Sequence, residues 1–199
     1  MAKFTGDPNV IKGNDIVQKY IMLANSHDGS MAVTCGLTPQ RIVCSNTLSM
    51  ADNSKASQLL RIRHTASVEE TLDKAREILD VANRQFEATF EQYQWLATRV
   101  INHQQLDKLV KVVLKQDKVE EISAKAQNQI DHVKSLFEHG RGNDMPEIKG
   151  TAWAAYNAVS EYLTHYASSN DNQRASSLWF GKNKARLQTA LSTVTTLVA

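Results

Sequence analysis

Residues 59–101, LLRIRHTASVEETLDKAREILDVANRQFEATFEQYQWLATRVI, change hydrophobic period part-way, and that change decides the fold class. Over 59–64, Leu60, Ile62 and His64 alternate with Leu59, Arg61 and Arg63. A period of two marks a half-buried strand with two arginines on one face. From Ser67 the spacing becomes helical. Ser67 with Glu70 three residues on reads as a capping box, and Glu69, Glu70 and Asp73 suit the positive end of the helix dipole. Val68, Leu72, Ala75, Leu79, Ala82, Phe86, Tyr93, Leu96 and Val100 fall on a 4,3 repeat that only Thr89 interrupts. Without Gly or Pro up to Ile101, the stretch predicts one helix of about 35 residues, roughly 50 Å long. Such a helix needs its seam covered, by its own chain or by a neighbouring subunit.

Working outward, the N-terminal side is β-rich. Residues 16–23 (IVQKYIML) follow a turn-like Lys12-Gly13-Asn14-Asp15, and 30–35 (SMAVTC) follow the dense turn signal of 25–29 (NSHDG). The pair predicts a hairpin, closed by Gly36, Thr38 and Pro39. Residues 41–50 (RIVCSNTLSM) are ambiguous, able to begin as a strand and finish as a helix. On the C-terminal side, 106–114, 119–137, 151–166 and 184–198 read as helices, with the clearest break at 139–146 and a polar loop at 168–172. The expected architecture is α+β, a small antiparallel β-region over 1–66 and a helical region over 67–199, forming one structural domain.

Composition narrows the classes. The chain has 199 residues, 42% hydrophobic and 22% charged, with 3 Pro and 8 Gly. That balance excludes a disordered or collagen-like chain. Cys35 and Cys44 cannot form a disulfide framework, which points to a reducing cytoplasm, and each reads best as a buried structural thiol. No stretch approaches the ~20 apolar residues of a spanning helix, and the N-terminus has no signal-peptide core. The formal net charge is only +2, with mildly basic ends and a mildly acidic middle. Nucleotide-binding glycine loops, CxxC and HExxH motifs are all absent, and no cofactor is implied.

Two sets of residues could carry function. Trp153, Asn157, Glu161 and His165 recur every four residues and share one helical stripe among alanines. Facing protein, they form a structural polar network. Alternatively Glu161 and His165, with His64, form a metal or acid–base site of a hydrolase. Arg41, Arg61 and Arg63 are the second set. Strand arginines at alternate positions can follow a phosphate backbone, or can pair with the seven carboxylates between Glu69 and Glu91. Lys182, Lys184 and Arg186 lie near the start of the last helix, where a bound anion or solvation would serve them.

Five strings in order, NSHDGS (25–30), RIVCSNTL (41–48), RIRHT (61–65), TAWAAYNAVSEYLTH (151–165) and WFG (179–181), resemble the phage/plasmid-like protein family, a domain of unknown function (932). Its pattern positions here are His27, Asp28, Arg41, Cys44, Asn46, Arg61, His64, Trp153, Asn157, Glu161 and His165. Family members carry a further N-terminal region, so this chain is expected to be a short member or a truncated copy. The resemblance implies a mobile-element setting inside a bacterial host. The order of hairpin, arginine-bearing strand and long helix also resembles single-strand annealing proteins. The leading expectation is therefore a non-enzymatic protein binding single-stranded DNA as a homo-oligomer. The alternatives are the metal-dependent hydrolase above and a module that binds a host defence protein.

Overall fold

The computed structural model describes residues 2–3, 9–24, 33–49, 60–62 and 68–199. Among the described residues six strands form one antiparallel sheet: β1 (Ala2–Lys3), β2 (Asn9–Lys12), β3 (Asp15–Ala24), β4 (Val33–Arg41), β5 (Asn46–Thr47) and β6 (Leu60–Ile62). β3 pairs with β1 and β2 on one side and with β4 on the other; β4 then pairs with β5 and β6. Six α-helices follow: α1 (Val68–Leu96), α2 (His103–Leu114), α3 (Ala124–His139), α4 (Ala152–Glu161), α5 (Asp171–Phe180) and α6 (Lys182–Val198). A π-helical turn, Tyr162–Tyr166, extends α4. The fold is α+β, as the change of period predicts.

The central hairpin runs in register from Val17↔Arg41 to Ala24↔Thr34. β4 therefore passes through Gly36, Thr38 and Pro39, which were expected to end the hairpin. Pro39 is tolerated because the N–H and C=O of one antiparallel residue face the same edge. The Pro39 carbonyl accepts from Leu48 N at 3.0 Å, so its missing donor faces the two-residue β5 and not β3. The ambiguous 41–50 stretch forms no helix over its described residues. It turns at 42–45, with Ser45 in left-handed conformation (φ 54°), and returns as β5.

α1 stops at Leu96, short of the expected Ile101. Thr98 Oγ1 donates to the Trp95 carbonyl at 2.7 Å, and Val100 bridges to Thr151 just before α4. Two backbone bonds hold this crossing: Ile101 N to Gly150 O at 3.1 Å, and Ala152 N to Arg99 O at 2.7 Å. Val100, expected in the seam, is 79% exposed. Thr89, the supposed interruption, is fully buried, its hydroxyl returned to Gln85 O at 2.7 Å. Over Phe86, Thr89, Tyr93 and Leu96 the seam is buried within this one chain. The Ser67 capping box lies outside the described residues. α2 begins on a full capping box, Asn102 with Gln105, and ends on Lys115 in left-handed conformation. α3 starts at Ala124, five residues after the expected Val119, capped by Ser123. α5 begins at Asp171, inside the expected 168–172 loop, and runs through a stretch for which no element was expected.

A single apolar core joins sheet and helices. Ile11, Val17 and Leu48 pack with Phe86, Tyr93 and Leu96 of α1 and with the helical bundle. α4 lies at its centre, all ten residues buried, against α1, α3, α6 and β5. The rings of Tyr93, Trp153 and Tyr156 meet at 4.8–6.0 Å, near the geometry favoured by aromatic pairs.

Candidate functional site

The hairpin turn, the break after α3 and the buried helix α4 converge on one buried pair, Asp15 and Arg41. Asp15 opens β3 directly after the Gly13-Asn14 turn, and Arg41 closes β4. Both side chains are fully buried. Arg41 Nε donates to Asp15 Oδ1 at 2.8 Å and Oδ2 at 3.0 Å, and Nη2 to Oδ2 at 2.8 Å. The remaining N–H groups reach Gly142 O at 2.8 Å, Asn143 Oδ1 at 2.9 Å and Arg141 O at 3.2 Å. A guanidinium has five N–H groups, and here every one of its nitrogens is engaged. Gly142 makes the approach possible. Its φ is +75°, and a Cβ there would lie 2.6 Å from Val43 Cγ1 and 3.0 Å from Arg41 Nη2.

The Arg41 expectation is therefore corrected. This guanidinium is neutralised inside the protein and offers nothing to a phosphate backbone. Its partners lie 26 and about 100 residues away in sequence, so local spacing could not reveal them. Arg61 stands on β6 opposite Thr34 of β4. The Arg61 side chain, Arg63 and His64 lie outside the described residues, as do His27 and Asp28.

The α4 stripe continues from that pair. Trp153 Nε1 donates to Asp15 Oδ2 at 2.7 Å. Asn157 Nδ2 donates to Trp153 O at 2.9 Å, and Asn46 Nδ2 to Asn157 O at 3.4 Å. His165 Nε2 faces Cys44 O at 3.1 Å and Asn46 Oδ1 at 3.2 Å. Both are oxygen acceptors, so Nε2 carries the proton. Asn143 ties the other end, Nδ2 donating to Leu136 O at 2.9 Å and Ala154 O at 3.1 Å. The 41–49 segment is gripped along its length. Ser160 Oγ donates to Thr47 O at 2.9 Å, and Thr47 N to Thr164 Oγ1 at 3.3 Å. Ser49 N donates to Tyr156 Oη at 2.7 Å, and the Tyr93 hydroxyl donates to Ser49 O.

The chemistry of these groups is that of a buried fastening. Burial pushes the Cys44 thiol up to about 11, although the Arg41 charge pulls it down, so the thiolate nucleophile is scarce. Burial also lifts both Tyr93 and Tyr156 well above the ordinary phenol range. Glu161, 2% exposed, accepts from Arg141 N at 3.2 Å. Burial raises its pKa, partly offset by that amide and by the positive field of His165, Arg141 and Arg41. Gly140 clears its path, since a Cβ there would come 2.7 Å from Glu161 Oε2. For a metal site, His165 Nε2 would have to give up two hydrogen bonds. Among the described residues no group of three His, Cys, Asp or Glu is placed to hold a metal ion.

Sequence reasoning missed Asp15 and Asn143. Each stood in a segment read only as a turn, Lys12-Gly13-Asn14-Asp15 and 139–146. A lone Asp or Asn beside glycine signals a turn before it signals a partner.

The chain matches a known family over residues 1–190, described as Domain of unknown function (DUF932). It belongs to that family. No curated protein and no solved structure matches it significantly. The family description assigns no reaction, so the chemistry must come from the residues themselves. Among the described residues no helix is long and apolar enough to cross a membrane.

Proposed function

We propose that this chain is a non-enzymatic nucleic-acid-binding protein. It takes single-stranded DNA during replication, recombination or protection of a phage or plasmid, in the cytoplasm of its bacterial host. The observation that carries the reading is the position of Arg61. β6 pairs with β4 alone among the described strands, so Arg61 belongs to an outer strand of the sheet. Arg63 follows two residues later, at the same parity. With Asp15 and Arg41 cancelling inside, Arg61 is the arginine that the described sheet carries on an outer strand, where a strand of phosphates could run. The buried site supports the same reading from the other direction. Among the described residues Glu161 and His165 are engaged by the fold, Glu161 with Arg141 N and His165 with Cys44 O and Asn46 Oδ1.

The test is anisotropy titration of a labelled oligonucleotide of about 30 deoxythymidines at several salt concentrations. Wild type should bind at about 50 mM salt and weaken steeply as salt rises. Arg61→Ala with Arg63→Ala should flatten the slope of log K against log salt by about 1.4, at about 0.7 per single-strand phosphate contact. Folded wild type that does not bind, or a double variant with an unchanged slope, would contradict the reading.

A further inference from the structure

We infer that the outer face of the π turn and α3 is a stacking site for the bases of a single strand, built around Tyr166 and His132. The inference rests on the single-stranded DNA reading above and gives it a second contact, remote in sequence from the sheet arginines. Tyr166 ends the π turn with 47% of its surface exposed. An exposed tyrosine commonly has its ring free to swing; this one is braced. The His132 ring of α3 lies 4.6 Å from it, tilted by 54°. His165 approaches from the same turn at 6.3 Å, edge to face. His132 is itself held at 5.5 Å by the edge of Tyr162. Bracing matters because a ring already fixed loses little rotamer entropy when a base stacks on it.

Charge favours the same occupant. Arg186 of α6 lies near enough for its positive charge to act on the Tyr162 hydroxyl. Asp131, the residue before His132, is exposed and accepts from the Gln127 amide at 2.8 Å, whereas Glu161 is buried. Planar rings with a guanidinium nearby suit a base with its phosphate. They suit an apolar protein surface less well. The π turn is the device that creates the face. Ala167 N reaches back five residues to Tyr162 O, so the turn is wider than an α-turn. Such bulges recur at functional positions.

The probes are two oligonucleotides of equal length and charge, one of deoxythymidine and one of abasic sites. Wild type should prefer the base-bearing strand about tenfold. Tyr166→Ala should bring the two affinities together while keeping the salt slope, and His132→Ala should do so in part. Melting curves would confirm that both variants fold, and the wild-type comparison of strands needs no variant at all. If wild type binds both strands equally and Tyr166→Ala changes nothing, the stacking site is wrong and the sheet reading stands. If neither strand binds folded wild type, both fall together.

Discussion

The two sides of the segment formed by α4 and its π turn do opposite work. The inner side ties Trp153 to Asp15, Glu161 to Arg141 N, and Thr164, His165 and the Asn157 carbonyl to the 41–49 segment, leaving Asn157 Oδ1 as a buried acceptor without a partner among the described residues. The outer side presents Tyr166, its ring held against His132 of α3 with solvent on the far side. Both sides are rich in the residue types associated with active sites. The difference lies in who satisfies them. On the inner side the protein is its own ligand; on the outer side a place is left for one. A histidine or arginine read from sequence therefore says little until its partners are known.

Variants can break this contrast, beginning with the inner side. Asp15→Asn should cost about 3–5 kcal/mol in urea unfolding, because it leaves the fully buried Arg41 charge without its counter-ion. The folded fraction should bind single-stranded DNA as wild type does. A loss under about 1 kcal/mol would remove the pair from its central place. Trp153→Phe keeps the ring but deletes the donor to Asp15 Oδ2. It should cost about 1.5–3 kcal/mol, the range for a hydrogen bond to a charged group. Combined with Asp15→Asn it should cost less than the two losses added, since both act on one carboxylate.

Glu161 sharpens the comparison through pH. Its folded pKa is raised by burial, so the folded state binds a proton more tightly than the unfolded chain. The sign follows: its contribution to stability is fully present below the ordinary value of 4.5 and is lost as pH rises through the raised folded value. Glu161→Gln, which can still accept from Arg141 N, should flatten stability against pH over that window and leave stability near neutrality equal or higher. If Gln destabilises as much as Ala across the whole range, ionisation is not what matters there. The smallest effect belongs to Val100. At 79% exposure, Val100→Thr should shift stability by no more than about 0.5 kcal/mol, despite its place on the 4,3 repeat.

Much of the fold could be read from local pattern. The change from period two to helical spacing separates sheet from helices, and β3, α2, α4 and α6 follow from their own apolar spacing. What escaped depended on contacts across the chain. α1 ends early because Val100 pairs with Thr151, a partner 51 residues away. β4 runs on through Pro39 because its missing donor faces an edge with only two residues in β5. For the site, Trp153, Asn157, Glu161 and His165 could be placed on one stripe, yet the group that organises them, Asp15, lies 138 residues before Trp153. The spacing of four also assumed an α-turn beyond Glu161, where the chain widens into a π turn. Tyr166 carried no signal of its own, since an aromatic at helical spacing reads first as core.

Hydrogen–deuterium exchange with and without a deoxythymidine oligonucleotide tests the division most directly, because it reports both sides in one experiment. Added strand should slow exchange in β6 and across Tyr162–Tyr166 with the neighbouring turn of α3, and leave the already protected 41–49 segment unchanged. Slowing confined to 41–49 and the Asp15 turn, with β6 and the π turn unaffected, would place the ligand on the inner side and contradict the account.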